Sequence, residues 1–161
     1  VVPFRFIRAI APYMRETGKQ EKAAGKRPSD RCVINISSTS GLHGNNGQVN
    51  YATAKMGIIG LTKTIAKEWG PFGVRCNAVA FGAVETRLTQ AKEKGAKITI
   101  DGKEVELGLP GMDLKDFETQ VNPLQRIATP EEAAGGILLM ALPQAGFITG
   151  HTLEVTGGQG I

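Results

Sequence analysis

Cysteine and histidine are nearly absent from the chain, two of each in 161 residues, and that scarcity removes several chemistries at once. Cys32 and Cys76 sit in separate apolar, strand-like runs with no partner at metal-ligand spacing, so they read as small core residues rather than as a zinc site or a disulfide framework. His43 and His151 also lack ligand-spaced neighbours, and no metal is expected. No apolar run approaches the roughly 18 residues of a membrane span. A strong excess of one charge sign is lacking too: Lys plus Arg number 19 against 15 Asp plus Glu. Much of that small excess lies between Arg15 and Arg31, a stretch without the interleaved aromatics that stack on bases. It reads as a solvated surface rather than a nucleic-acid site, and no membrane partner is expected. An initiator Met, an N-cap ahead of the first helix and a signal-peptide pattern are all lacking, so the chain is expected to begin inside an element.

What is present alternates between two periodicities. Phe4, Ile7, Ile10, Ala11 and Met14 recur at helical spacing, followed by a Lys-, Gly- and Ala-rich connection from Glu16 to Asp30. Cys32 to Ser37 is a β-branched run suited to a strand buried on both faces. Gly41 to Gly47 reads as a loop, and a long helix follows from Gln48 to Trp69, with Ile58, Leu61, Ile65 and Trp69 at helical spacing and Gly70-Pro71 as its stop. Val74 to Ala80 supplies a second strand. In the less regular stretch beyond it, Ile98 to Leu107 holds Asp-Gly between β-type residues, a hairpin signal. Thr129-Pro130-Glu131-Glu132 predicts a capped helix running to about Leu142, and Thr152 to Val155 a last strand. This order argues for a parallel α/β sheet with only about three strands, half of a doubly wound Rossmann-like fold. The expected organisation is one partial domain over 1–161, interrupted by a substrate-loop insertion at about 87–126.

Ser38 ends the first predicted strand, while Tyr51 and Lys55 share one face of the following helix. Ligands collect at the carboxyl ends of strands in open α/β sheets, so the three side chains can converge. Reducing a carbonyl by hydride leaves an alkoxide that needs a proton and a fixed hydrogen-bond donor. A free tyrosine titrates near 10, so bringing one towards 7 needs about 4 kcal/mol of preference for the phenolate. One ammonium about 4 Å away, at an effective dielectric of about 20, supplies a comparable amount. Lys55 is the candidate for that charge, Tyr51 for the acid and Ser38 for the oxyanion partner. The glycines at 41, 44 and 47 superficially suggest a phosphate cradle, but G-x-x-G-x-x-G matches neither G-x-G-x-x-G nor the P-loop. The segment reads instead as an active-site loop, with Ser40 and Gln48 as substrate contacts.

The tract INISSTSGLHGNNGQVNYATAK resembles the short-chain dehydrogenase/reductase family, whose catalytic Ser lies 13 residues before the Tyr of Tyr-x-x-x-Lys. VRCNAVAFGAVETRLT resembles the family segment Asn-x-Val-x-Pro-Gly-x-Ile/Val-x-Thr, and FITGHTLEVTGGQGI its last strand. The resemblance implies that Tyr51 and Lys55 also hold the cofactor, that Gly82 lets the chain turn beside it, that the Val84 backbone bonds the nicotinamide carboxamide, and that Thr86 offers a hydroxyl to the carboxamide or phosphate. Phe81 stands where Pro is usual and becomes a candidate wall beside the substrate; Thr156 stands where Asp is usual. The resemblance implies NADP or NAD as cofactor, with the choice undetermined, since the Gly-x-x-x-Gly-x-Gly loop, the residues that select the cofactor and the catalytic Asn would all precede Val1. It further implies a homotetramer in the cytoplasm or an organelle matrix. The tract looks most like 3-oxoacyl-carrier-protein reductases, so the expected reaction is reduction of the keto group of a 3-oxoacyl thioester. A steroid or sugar alcohol dehydrogenase of the same family is the alternative, and a truncated, non-catalytic fragment offering only sheet and oligomer surfaces is another.

Overall fold

A computed structural model describes residues 2–89, 91, 95–107 and 122–160. The chain divides into two compact units, Val1–Ala80 with Gly136–Glu154, and Phe81–Gly135 with Val155–Ile161.

The first unit starts with helix α1, Val2–Ala11, a π-helical turn at Pro12–Glu16, and α2, Thr17–Ala23. The sequence suggested a helix ending near Met14 and then a surface connection, but the helical course continues nine residues further. Pro12 lacks the N–H that an α-helix needs, and a π-turn is a recognised way to absorb such an interruption. Beyond it, Lys, Gln, Glu and Ala are good helix formers. The charges of this stretch are largely occupied within the protein. Glu21 forks onto Arg31 at 2.6 and 3.0 Å, the Arg15 guanidinium lies 5.9 Å from the Trp69 ring centre, and Lys19 and Lys22 flank the Phe72 ring. Gly18 is needed because a Cβ there would collide with the Phe72 carbonyl.

Strand β1 is Arg31–Ser38, followed by α3, Thr39–His43, and α4, Val49–Trp69. A 3-10 turn at Gly70–Phe72 leads into β2, Val74–Phe81. Ile7 of α1, Val33, Ile65, Ala66, Trp69, Val74 and Cys76 form the core, with Ile10, Ala11, Met14 and Leu61 packed against it. Phe4, expected on the same face, is 56% exposed. On α4 the buried face is Ile59, Thr62, Ile65, Ala66 and Trp69; Ile58 and Leu61 flank it. Burial on both faces, expected of β1, belongs to β2, where seven successive residues are buried. In β1 burial alternates, with Val33, Asn35 and Ser37 inward and Ile36 exposed. The inward polar groups are satisfied: Asn35 Nδ2 donates to Thr62 Oγ1 at 2.9 Å, and Ser37 Oγ to the Lys55 carbonyl at 2.9 Å.

The sheet order is β1-β2-β5, with β5 at Thr152–Val155. Gly150 N donates to Cys76 O and Ala78 N to His151 O, so β2 and β5 advance together, the parallel pairing expected. Asn77 stitches the same two segments with its side chain, donating to Ile148 O at 2.8 Å and accepting from His151 N at 3.0 Å. Arg75 is buried and forks onto Asp30 at 2.9 and 3.1 Å while donating to Met140 O at 2.9 Å.

In the second unit, β3 (Lys97–Ile100) and β4 (Lys103–Glu106) pair antiparallel, Ile98 opposite Val105 and Ile100 opposite Lys103. The two turn residues Asp101 and Gly102 both have positive φ, 49° and 77°, as a two-residue hairpin of this handedness requires. The hairpin is where the Asp-Gly signal placed it; residues 90, 92–94 and 108–121 of the expected insertion lie outside the described residues. Helix α5, Pro130–Ala141, starts on a capping box: Glu132 N donates to Thr129 Oγ1 and Thr129 N to Glu132 Oε2, at 3.2 and 2.9 Å.

Candidate active site

Ser38 is the last residue of β1 and the N-cap of α3. Its extended backbone (φ −156°, ψ 152°) lets Oγ accept from Ser40 N at 3.2 Å. An oxygen held by an amide still has its own proton to donate, which suits a group that must face an oxyanion. The loop expected over Gly41–Gly47 is therefore helical as far as His43. Gly41 lies in α3 because α3 crosses close to α4: a Cβ would come within 2.8 Å of Lys55 Cβ and 2.9 Å of Lys55 C. Gly44 and Gly47 have φ of 78° and 76° with open space around them, so their role is conformational.

Tyr51 and Lys55 lie on α4 as their spacing requires. The Lys55 ammonium donates to Ile36 O at 3.1 Å and stands 5.5 Å from the centre of the Tyr51 ring, a cation over an aromatic face. Lys55 is thus gripped from three directions: the Ile36 carbonyl holds its tip, Ser37 Oγ its backbone carbonyl, and Gly41 packs on its stem. Those three residues bracket Ser38 in sequence, so Ser38 and Lys55 share the carboxyl end of β1. Tyr51, 43% exposed, presents its ring to the Lys55 ammonium. Gln48 accepts from Asn45 Nδ2 at 3.3 Å just ahead of α4. Ser40 is half-buried in the first turn of α3.

Phe81, Gly82, Val84 and Thr86 belong to the second unit. Gly82 N donates to Val155 O at 3.1 Å, and a Cβ at Gly82 would press on Thr156 Cα at 3.3 Å, so close approach to the turn after β5 itself calls for glycine here. Val84 forms an isolated parallel bridge with Ala128. Its carbonyl accepts from Thr89 Oγ1 at 2.8 Å, and its amide has no partner among the described residues. Such an amide can donate to the carbonyl of a carboxamide. The Thr86 hydroxyl is engaged locally, accepting from Leu88 N at 3.3 Å and lying 3.4 Å from Thr89 Oγ1. Phe81 ends β2, half-buried.

Sequence reasoning passed over His43, whose Nε2 lies 2.9 Å from Glu154 Oε2 on β5. No local pattern could signal a contact between residues so far apart.

The profile of a family described as Enoyl-(Acyl carrier protein) reductase matches residues 3–159. The chain belongs to the short-chain dehydrogenase/reductase family. Among curated relatives, the (3R)-3-hydroxyacyl-CoA dehydrogenase of Mus musculus is 39% identical over 126 residues, which are 78% of this chain and 42% of that protein. The 3-oxoacyl-[acyl-carrier-protein] reductase of Thermotoga maritima is 34% identical over 157 residues, 96% of this chain and 51% of that protein. A crystal structure of a 3-oxoacyl-[acyl-carrier protein] reductase with bound NAD from Brucella melitensis superposes with a TM-score of 0.69 at 26% identity, covering 98% of this chain and 47% of that one. The chain spans about half the length of the curated relatives it matches. Its fold is accordingly the Rossmann-like parallel α/β arrangement of this family.

Proposed function

We propose that the protein carrying this chain reduces the keto group of a 3-oxoacyl thioester with a nicotinamide dinucleotide. The observation that carries the reading is the lodging of Lys55, between the Tyr51 ring and the carbonyl two residues ahead of Ser38. It supports a site in which a phenol, a cation and a hydroxyl act together at the end of one strand. The relatives named as 3-oxoacyl reductases and 3-hydroxyacyl dehydrogenases support the thioester as substrate class.

Two features support such a cofactor: the Val84 amide has no hydrogen-bond partner among the described residues, and Lys55 is a cation able to bond ribose hydroxyls beside Tyr51. When bound, the reduced nicotinamide supplies the hydride that the carbonyl carbon receives. Ser38 Oγ–H donates to the carbonyl oxygen and holds it as charge develops there. Tyr51 gives that oxygen its proton, forming the O–H bond of the product alcohol and leaving a phenolate. The Lys55 ammonium lowers the energy of the phenolate by direct Coulomb attraction. Ser40 and Gln48 orient the acyl chain on the substrate side, and Phe81 walls it. Thr86 contributes a hydroxyl to the cofactor. NAD or NADP serves, and the subunits assemble as a homotetramer in the cytoplasm or an organelle matrix.

Steady-state assays of the complete protein with acetoacetyl thioesters and NADH or NADPH test the reading. Cofactor oxidation dependent on the thioester is expected. Turnover of steroid or sugar alcohols without any on the thioester would transfer the site to the alternative substrate class.

A further inference from the structure

The His43–Glu154 contact joins positions 111 residues apart in the chain, at 2.9 Å. Both side chains are partly exposed, 48% and 38%, and ion pairs at that exposure add little to stability. Their location gives them another use. Helix α3 has five residues, too few to persist without tertiary support. Its first turn is fixed by the Ser38 cap and its middle by the packing of Gly41 on Lys55. Beyond His43 the chain passes through Gly44 and Gly47, both with positive φ and nothing within 4 Å of where a Cβ would stand. Asn45 bonds only its near neighbour Gln48, at 3.3 Å; among the described residues, the side-chain hydrogen bond that ties this segment to another element is that of His43. With Nε2 protonated, the ring donates to the carboxylate whether or not the imidazole is charged.

We propose that His43 and Glu154 are positioning residues: their contact holds the end of α3, and with it Ser40 and the segment up to Gln48, in the geometry that receives the acyl substrate. The inference rests on the reductase reading above and deepens it. Neither residue touches the reacting atoms. Losing the tie frees the glycine segment, so substrate binding suffers while Ser38, Tyr51 and Lys55, which have their own anchors, stay in place. The cofactor side of the site is unaffected.

The test uses the complete protein with acetoacetyl thioester and reduced nicotinamide dinucleotide, comparing wild type with His43→Leu, Glu154→Leu, the double variant and His43→Gln. The KM for the thioester is expected to rise about three- to tenfold in each single Leu variant, with kcat and the KM for the dinucleotide within about twofold. The double variant is expected to be no worse than either single one, since both remove one interaction. His43→Gln, whose amide can still donate to the carboxylate, is expected to recover at least about half of the lost kcat/KM. An unchanged thioester KM in His43→Leu would overturn the proposal, as would multiplying effects in the double variant. So would a joint rise in both KM values with a lower thermal midpoint, which would mark a general structural role. A wild type that does not turn over the thioester sinks the reductase reading, and this inference with it; a wild type active on the thioester with indifferent variants sinks the inference alone.

Discussion

Burial raises the Cys76 thiol to about 11, against the opposing hydrogen bond to Thr62, and this residue shows how single side chains divide between structure and chemistry. The neutral thiol is favoured in the folded protein while the unfolded chain ionises near its ordinary value of 9. This thiol therefore leaves stability unaffected below about pH 9 and lowers it by up to about 3 kcal/mol as pH rises towards 11. A pH series of chemical denaturation checks this, and native Cys76 is expected to resist thiol reagents at pH 8 until the protein unfolds. Gly41 gives a second expectation. Its Cβ would meet backbone atoms of α4 rather than a flexible tip, so Gly41→Ala should cost about 1–3 kcal/mol and displace Lys55, seen as a lower denaturation midpoint together with a fall in kcat/KM. The positions of Ser38 at a strand end and of Tyr51 and Lys55 one helical turn apart were legible in the sequence, because local patterns set them. The close approach of Gly41 and the reach of His43 to Glu154 depend on how segments cross, and no spacing announces that.

At the scale of elements, patterns that act within a few residues predicted well. The Asp101-Gly102 turn is one case, since both residues must adopt positive φ and few others do so readily. Gly102→Val should unpair β3 from β4, detectable as rapid amide exchange at Ile98 and Val105. The start of α5 is another. Arg126 grips Glu132 with a fork at 2.6 and 2.7 Å and, with the Thr129 amide, holds its carboxyl near 2 instead of the usual 4.5. The stabilisation is present above about pH 4.5 and is lost as pH falls towards 2. Exchange of the first-turn amides of α5 should accelerate across that window, and an unchanged rate would contradict the assignment. Elsewhere the pattern misled. The Lys-, Gly- and Ala-rich stretch from Glu16 to Asp30 suggested a connection, yet the helical course continues to Ala23 through a π-turn, with Gly18 permitting close packing on Phe72. The β-branched composition of Cys32–Ser37 suggested burial on both faces, but burial depends on what covers each face, and Val74–Phe81 is the strand that is enclosed.

Among the described residues the larger sheet has three strands with β1 at one edge, on a chain that spans about half of its relatives' length. A free strand edge is a template for pairing with another chain, and the 161 residues contain no G-x-G-x-x-G or G-x-x-x-G-x-G phosphate loop. The 161-residue chain by itself should therefore associate in sedimentation experiments and show no saturable binding of NADPH; a monomer that binds the dinucleotide tightly would contradict this.

In the proposed reaction a phenol on α4, set beside an anchored ammonium, delivers the proton. The most direct test is kcat for Tyr51→Phe in the complete protein, with folding verified by an unchanged circular dichroism spectrum. Removing one hydroxyl should lower kcat by at least about 100-fold, the usual worth of a general acid. A kcat within about twofold of wild type would show that the proton comes from elsewhere.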